Sequence, residues 1–187
     1  MTPAGIRTER LLLRAWVPAD RGPFAAMNAD PEVMAYFPEP ISRQASDRLV
    51  DRIEAGFARD GFGLWALEVV ASGEFIGFTG LAVPRFEAPF TPAVEVGWRL
   101  GRSAWGNGYA TEAGRAVLAV AFSQFLLPEV VSFTTESNAR SRSVMERLGL
   151  THDPADDFDH PDISPGHPLR RHVLYRIRRA DWHAPTA

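Results

Sequence analysis

The sequence predicts an α+β or mixed α/β fold, a sheet with helices on both faces. Three observations carry that expectation. Short apolar runs bounded by proline and glycine recur as strands, and segments with helix-spaced apolar residues separate them. The elements then follow the order β-α-α-β-β-β-α-β-α-β, with a further strand possible at the end. There is no repeat, linker or second domain. At 187 residues, 45% of them hydrophobic, the chain is sized for one domain with a sizeable core.

Residues 10–16 form an apolar run that stops at Pro18 and read as the first strand. Asp20 is placed to cap a helix carrying Phe24, Ala25, Met27 and Asn28. Asp30-Pro31-Glu32-Val33-Met34 restarts a helical turn, with proline where its missing N–H is harmless. Ser42 caps a clearer amphipathic helix, in which Ala45, Leu49, Ile53 and Phe57 recur every four residues until Gly61 and Gly63 end it. Residues 64–70 and 75–83 flank a turn of hairpin length, Ala71-Ser72-Gly73-Glu74. After Pro92 come a strand at 94–100, a glycine loop, and a helix through Phe125 that is apolar nearly all round. Residues 130–135 are a strand, 138–148 a helix ended by Gly149, and 152–168 mostly loop. Val173, Tyr175 and Ile177 alternate along a closing strand at 171–178.

Composition closes several function classes. All 20 basic residues are arginine and the net charge is −3, which gives no reason to expect nucleic-acid binding. Without cysteine there is no disulfide, thiolate metal site or cysteine nucleophile. The N-terminal residues lack a basic–apolar signal pattern and no apolar run approaches bilayer length, so a cytoplasmic protein with no membrane partner is expected.

The stretch 94–125 organises the rest. Gly106 and Gly108 remove two side chains just where a helix begins, so several backbone N–H groups point outward beside the positive end of the helix dipole. Such a loop seats a pyrophosphate, although two glycines before a helix also make an ordinary tight turn. It is neither of the common nucleotide loops: Gly-x-x-x-x-Gly-Lys-Ser/Thr is absent, and so is Gly-x-Gly-x-x-Gly with an acidic residue about 20 positions on. A second informative run follows at 136–150. There Asn138 is a good N-cap, Ser141 lies on the first turn, and Val144 and Leu148 share a face.

Together these runs resemble the GNAT superfamily of acyl-CoA-dependent N-acetyltransferases, and more closely its RimJ/RimL-type branch. The marks stand in order: Thr8-Glu9-Arg10-Leu11-Leu12-Leu13-Arg14, Asp30-Pro31-Glu32-Val33-Met34, Gly73-Glu74-Phe75-Ile76-Gly77, Glu95-Val96-Gly97-Trp98, the run Trp105 to Ala113, then Asn138-x-x-Ser141 through Glu146-Arg147-Leu148-Gly149-Leu150. They cover roughly residues 7–178, within a single acetyltransferase domain spanning 1–187.

The resemblance implies a mostly antiparallel central sheet, splayed where acetyl-CoA lies. The cofactor would pair with the backbone of Val96, Trp98 and Leu100, and a backbone N–H there would stabilise the oxyanion. The pyrophosphate would rest on Trp105, Gly106, Asn107, Gly108, Tyr109 and Ala110. The superfamily pattern Arg/Gln-x-x-Gly-x-Gly/Ala has Trp105 in its first place, so Arg102 is the candidate for the missing charge. Glu95 is the candidate base, directly or through water, unless it is an edge glutamate facing solvent or an arginine. Its loss is expected to slow turnover mainly at lower pH.

Many relatives protonate the leaving thiolate from a tyrosine, but that place holds Met145; Ser141 is the nearest hydroxyl, unless it merely bonds the helix backbone. Asn138 would orient the cofactor, or only cap its helix. Glu112, in a first helical turn, reads as structural. The cluster His152, Asp153, Asp156, Asp157, Asp159, His160, Asp162 and His167 reads as a solvated loop rather than a metal site, and no metal is expected. Lying beside the acceptor pocket, its carboxylates would form an acidic wall suited to a cationic amine or basic peptide. Trp16, Phe37, Trp65, Phe78 and Phe86 are aromatic enough to line that pocket, though most should be core. The acceptor is an amine-bearing small molecule or a protein N-terminus, and a homodimer is possible. A non-catalytic acyl-CoA-binding sensor is the alternative from a different class.

Overall fold

A computed structural model describes residues 5–183. Strands β1 (Ile6–Arg7), β2 (Leu11–Arg14), β3 (Leu64–Val69), β4 (Glu74–Ala82), β5 (Glu95–Leu100), β6 (Glu129–Thr135), β7 (Thr151–His152), β8 (Phe158–Asp159) and β9 (Arg171–Arg178) form one sheet in the order β1-β2-β3-β4-β5-β6-β9-β7, with β8 also on β9. Every pairing is antiparallel except β5 with β6. A parallel pair needs a crossover, and α3 (Tyr109–Ser123) supplies it. Helices α1 (Arg21–Ala29), α2 (Arg43–Asp60) and α4 (Ala139–Arg147) complete the cover of both faces.

The order of the long elements is the one expected; the two-residue strands β1, β7 and β8 are additional, and the other differences are local. Asp20 does not cap α1. It is buried, and it takes the Val17 N–H at 2.9 Å and the Arg14 guanidinium at 2.7 and 2.9 Å, because a sheltered carboxylate gains more from a cation than from a helix end. Ser42 does cap α2, accepting the Ala45 N–H at 3.2 Å. The buried stripe of α2 runs through Ser46, Val50, Ile53 and Phe57 rather than through Ala45 and Leu49. A buried bond from Asn28 to Ser46 at 2.9 Å explains the serine at its centre. Residues 152–168 are not all loop: β7 and β8 are short pairings along β9, too brief to leave a periodic signal.

The core lies between sheet and helices, around Leu11, Leu13, Phe24, Leu67, Leu81, Val96, Val117 and Leu118. Beside it, Phe86, Phe90, Phe133 and Phe158 pack on Val131 and Leu174 as a separate aromatic group. Trp16, Trp65 and Phe78 are core; of the five aromatics that could line a pocket, only Phe37 reaches the cleft described next. None of the described helices is long and apolar enough to cross a membrane.

Candidate active site

The parallel bridge at Glu95 and Val131 engages the backbone on either side of Glu95, with the Val131 N–H on the Val94 carbonyl at 2.9 Å. Past that apex the strands part: β5 stays with β4 as far as Leu100, and β6 stays with β9 as far as Thr135. Backbone groups alternate sides along a strand. Thr79 Oγ1 donates to the Gly97 carbonyl at 2.9 Å on the β4 side, so Trp98 and Leu100 turn into the gap. The Trp105 indole occupies the Leu100 carbonyl at 3.0 Å. The Trp98 N–H and C=O and the Leu100 N–H are left without a strand opposite them. Val96, expected to join this edge, sits instead at the apex, where Val131 already engages it.

The gap widens into a cleft of about 1450 Å³. At one end, Gly106 and Gly108 hold φ of +80° and +78°, the left-handed region where a side chain strains the backbone. Gly108 is the N-cap of α3, and no side chain bonds there. Among the described residues, the N–H groups of residues 106–111 have no acceptor, so a nest of donors faces the cleft at the positive end of α3. Asn107 folds its amide back onto the carbonyls of Ala104 and Trp105, at 3.3 and 3.2 Å, and so shapes the loop.

Arg102 does not serve this nest. Its guanidinium pairs with Glu32 and lies 3.7 Å from Asp30, which ties the loop to the turn after α1. Two cations flank the loop: Arg10, already paired with Glu112, lies over the Tyr109 ring at 4.9 Å, and Arg140 of α4 stacks on the Trp105 ring at 4.2 Å. That contact gives Trp105 a role in the place where the superfamily pattern carries a donor. Arg115 and Arg147 line the same wall. Sequence reasoning missed Arg140, although its position two residues after Asn138 was available. Glu112 is structural, as read: it accepts from Thr8 Oγ1 at 2.6 Å and from the Arg10 N–H and guanidinium at 3.0 and 2.7 Å.

Glu95 lines the middle of the cleft. Among the described residues its carboxylate has neither hydrogen bond nor ion pair, and burial pushes its pKa up to about 8. Ser141 also lines the cleft. Its N–H goes to Asn138 Oδ1 at 3.2 Å while its hydroxyl is unbonded among the described residues. Asn138 is thus an N-cap, and its Nδ2 donates to Thr134 Oγ1 at 2.8 Å. Oδ1 keeps a lone pair and Nδ2 a second N–H. Met145, where relatives carry a tyrosine, is buried in the core.

The sequence pattern of the acetyltransferase (GNAT) domain matches residues 10–151. The chain belongs to the GNAT family of N-acetyltransferases. It is 34% identical over 163 residues to the FsC-acetyl coenzyme A-N(2)-transacetylase of Aspergillus fumigatus, covering 83% of this chain and 68% of that one. It is 31% identical over 147 residues to YkkB of Bacillus subtilis, covering 76% and 83%. An acetyltransferase structure from Agrobacterium tumefaciens superposes with a TM-score of 0.76 at 29% identity, over 95% of this chain and 96% of that one. A GNAT-family structure from Bacillus anthracis reaches 0.77 at 21% identity, over 95% and 99%, a likeness of fold.

The opposite wall of this GNAT enzyme departs from expectation. No acidic wall forms, because most of the carboxylates at 153–159 find partners. Asp156 bonds Arg176 at 2.6 Å, Asp157 faces His152 at 2.7 Å, and Asp159 pairs with Arg170 and Arg171 at 3.2 and 3.6 Å. Asp153 turns onto the Ala155 N–H at 2.9 Å. The wall holds Tyr36, Phe37, Phe133, Ile163, His160 and His172, with Asp162 the one carboxylate of that run to reach the cleft. Burial lowers the pKa of both histidines; His160, at a ring separation of 5.1 Å, lowers that of His172 further, while Asp162 opposes the shift at His160, and the net direction leaves both largely neutral near pH 7. Arg99 also lines the cleft; nothing in composition or spacing marked it.

Proposed function

We propose that this N-acetyltransferase moves the acetyl group of acetyl-CoA to a primary amine by direct attack on the thioester, and that it sits in the RimJ/RimL-type branch. One observation carries the reading: the parted strands lead from a nest of free N–H groups, along an unpaired strand edge, to a carboxylate with a strongly raised pKa. The order of features along that path suits pyrophosphate, pantetheine and thioester in sequence. Donor N–H groups at 106–111 with Arg140 would hold the pyrophosphate. Pantetheine amides would complete the edge of β5 at Trp98 and Leu100, as an added strand does. The acetyl coenzyme A and the N(2) in the name of the Aspergillus relative agree with this donor and with a nitrogen acceptor.

The acceptor reacts only as a neutral amine. Glu95 would take the ammonium proton; the amine attacks the thioester carbonyl, and a backbone N–H of β5 stabilises the oxyanion. Collapse breaks the C–S bond and expels the thiolate as the attacking nitrogen gives up its remaining surplus proton; Ser141, whose hydroxyl is unbonded among the described residues, would relay that proton to the sulfur. A pKa of about 8 makes Glu95 a stronger base than an ordinary carboxylate, close to the range of amines themselves, but ionised only above that pH. Its benefit therefore lies at and above pH 8 rather than at lower pH. The perturbed carboxylate and free hydroxyl favour catalysis over an acyl-CoA sensor. Release of free CoA on mixing protein, acetyl-CoA and an amine panel tests the reading, and the absence of cysteine removes background in a thiol assay. Tight acetyl-CoA binding with no amine-dependent release would replace the enzyme with the sensor.

A further inference from the structure

Along β5, Glu95, Gly97 and Arg99 share one side-chain face. Arg99 extends from it into a cage of protein. Its Nη1 donates to Asn28 Oδ1 at 2.7 Å, and Asn28, itself fully buried, donates in turn to Ser46. Phe37 and Phe78 flank the guanidinium at 4.2 and 5.6 Å. This chain from α2 through α1 to β5 fixes the head group on the wall of the cleft.

Arg99 has no counter-ion. Among the described residues no carboxylate lies within ion-pair distance of it, and its Nε is buried without an acceptor. Arg14 shows the usual solution in this fold, with Asp20 and Glu68 both at 2.7 Å. Of the other acids lining the cleft, Glu32 is engaged by Arg102 and Glu112 by Arg10, while Glu9 and Asp162 form no ion pair with Arg99. Glu95 is four residues off, roughly 13 Å along the backbone, and its carboxylate leans over Gly97, 3.6 Å from where a Cβ there would stand, without pairing with Arg99. Burial alone draws the Arg99 pKa down to about 10, and a sheltered cation with unmet donors is costly until an anion arrives.

Accepting the transferase reading above, we propose that Arg99 recognises an anionic group on the acceptor, and that the acceptor is an amine that also carries a carboxylate. The amine would lie toward Glu95 and the carboxylate at Arg99. Gly97 between them has no side chain of its own, and His160 and His172 add no charge; of the other arginines lining the cleft, Arg10 is held by Glu112, Arg140 lies on the Trp105 ring and Arg115 bonds the Arg147 carbonyl. A diamine or a basic peptide would bring a second cation against Arg99.

The test uses matched acceptors with the whole protein. CoA release is measured with ω-amino acids from 4-aminobutanoate to 8-aminooctanoate, and with the corresponding ω-amino amides. In the wild type, the carboxylates should exceed the amides in kcat/KM by about tenfold or more through KM, with an optimum chain length. In Arg99→Gln the ratio should fall toward one, and Arg99→Lys should restore part of it. Amides as good as carboxylates in the wild type overturn the proposal, whether or not a variant folds; so does a preference that survives in Arg99→Gln. Should no amine release CoA, the transferase reading fails. Calorimetric binding of the same pairs to the CoA-saturated protein then decides Arg99 separately, with equal affinity overturning it.

Discussion

On one wall of the cleft the working groups come from two short runs: the loop at 105–111 and the first turn of α4. On the other they come from scattered segments: Tyr36 and Phe37 after α1, Glu95 and Arg99 on β5, Phe133 on β6, His160 in a loop, and His172 on β9. The first wall presents mainly backbone N–H groups and a helix dipole, whose direction follows from local conformation. The second presents side chains whose charge and exposure depend on what folds against them. On the proposed reading, the acetyl-donor side is set by a motif and the acceptor side by packing.

The sharpest break of that contrast is Gly108→Asp. It places a carboxylate against the nest and a side chain at φ +78°, and should weaken acetyl-CoA by on the order of 100-fold or more in calorimetry. Unchanged affinity would remove the loop from the binding site.

Next comes Glu95→Gln, with kcat expected to fall by roughly 100-fold at and above pH 8. The wild-type rate should rise through about pH 8, and that inflection should vanish in the variant. Stability moves the other way. With a folded pKa near 8 against an ordinary 4.5, Glu95 stabilises the fold least where it must ionise: its penalty grows from pH 4.5 to 8 and then levels off. Thermal unfolding of Glu95→Gln should thus shift upward relative to wild type, and more at pH 8 than at pH 5. A variant no more stable at either pH would mean that Glu95 is not desolvated.

Ser141→Ala should lower kcat by about tenfold with little change in acetyl-CoA affinity, as expected for one lost hydrogen bond to the leaving group. A loss confined to affinity would reassign Ser141 to binding. Asn138→Ala removes the cap of α4 and the bond to Thr134, and should cost about 1 kcal/mol in denaturant unfolding.

The smallest effect separates the two accounts of the acceptor wall. Asp159→Asn breaks only exposed ion pairs with Arg170 and Arg171, so acceptor KM should stay within about twofold. A large rise would restore the acidic wall.

The sequence by itself determined the order of the long elements, the caps at Ser42 and Asn138, and the glycine loop at the start of α3. Each depends on conformational preferences acting over a few residues, which neighbouring side chains display directly. It determined Glu95 as a candidate too, but not its environment. Tertiary structure decided that Glu95 is half-buried in the cleft without a partner, that Arg102 is drawn off to Glu32, and that Arg140 stands by Trp105. It also decided that the acids at 153–159 are neutralised while Arg99 is left alone among aromatic rings. Charge type is written in a sequence; whether a charge meets water, its opposite or neither depends on segments far apart in the chain, and that pairing sets what the acceptor wall can bind.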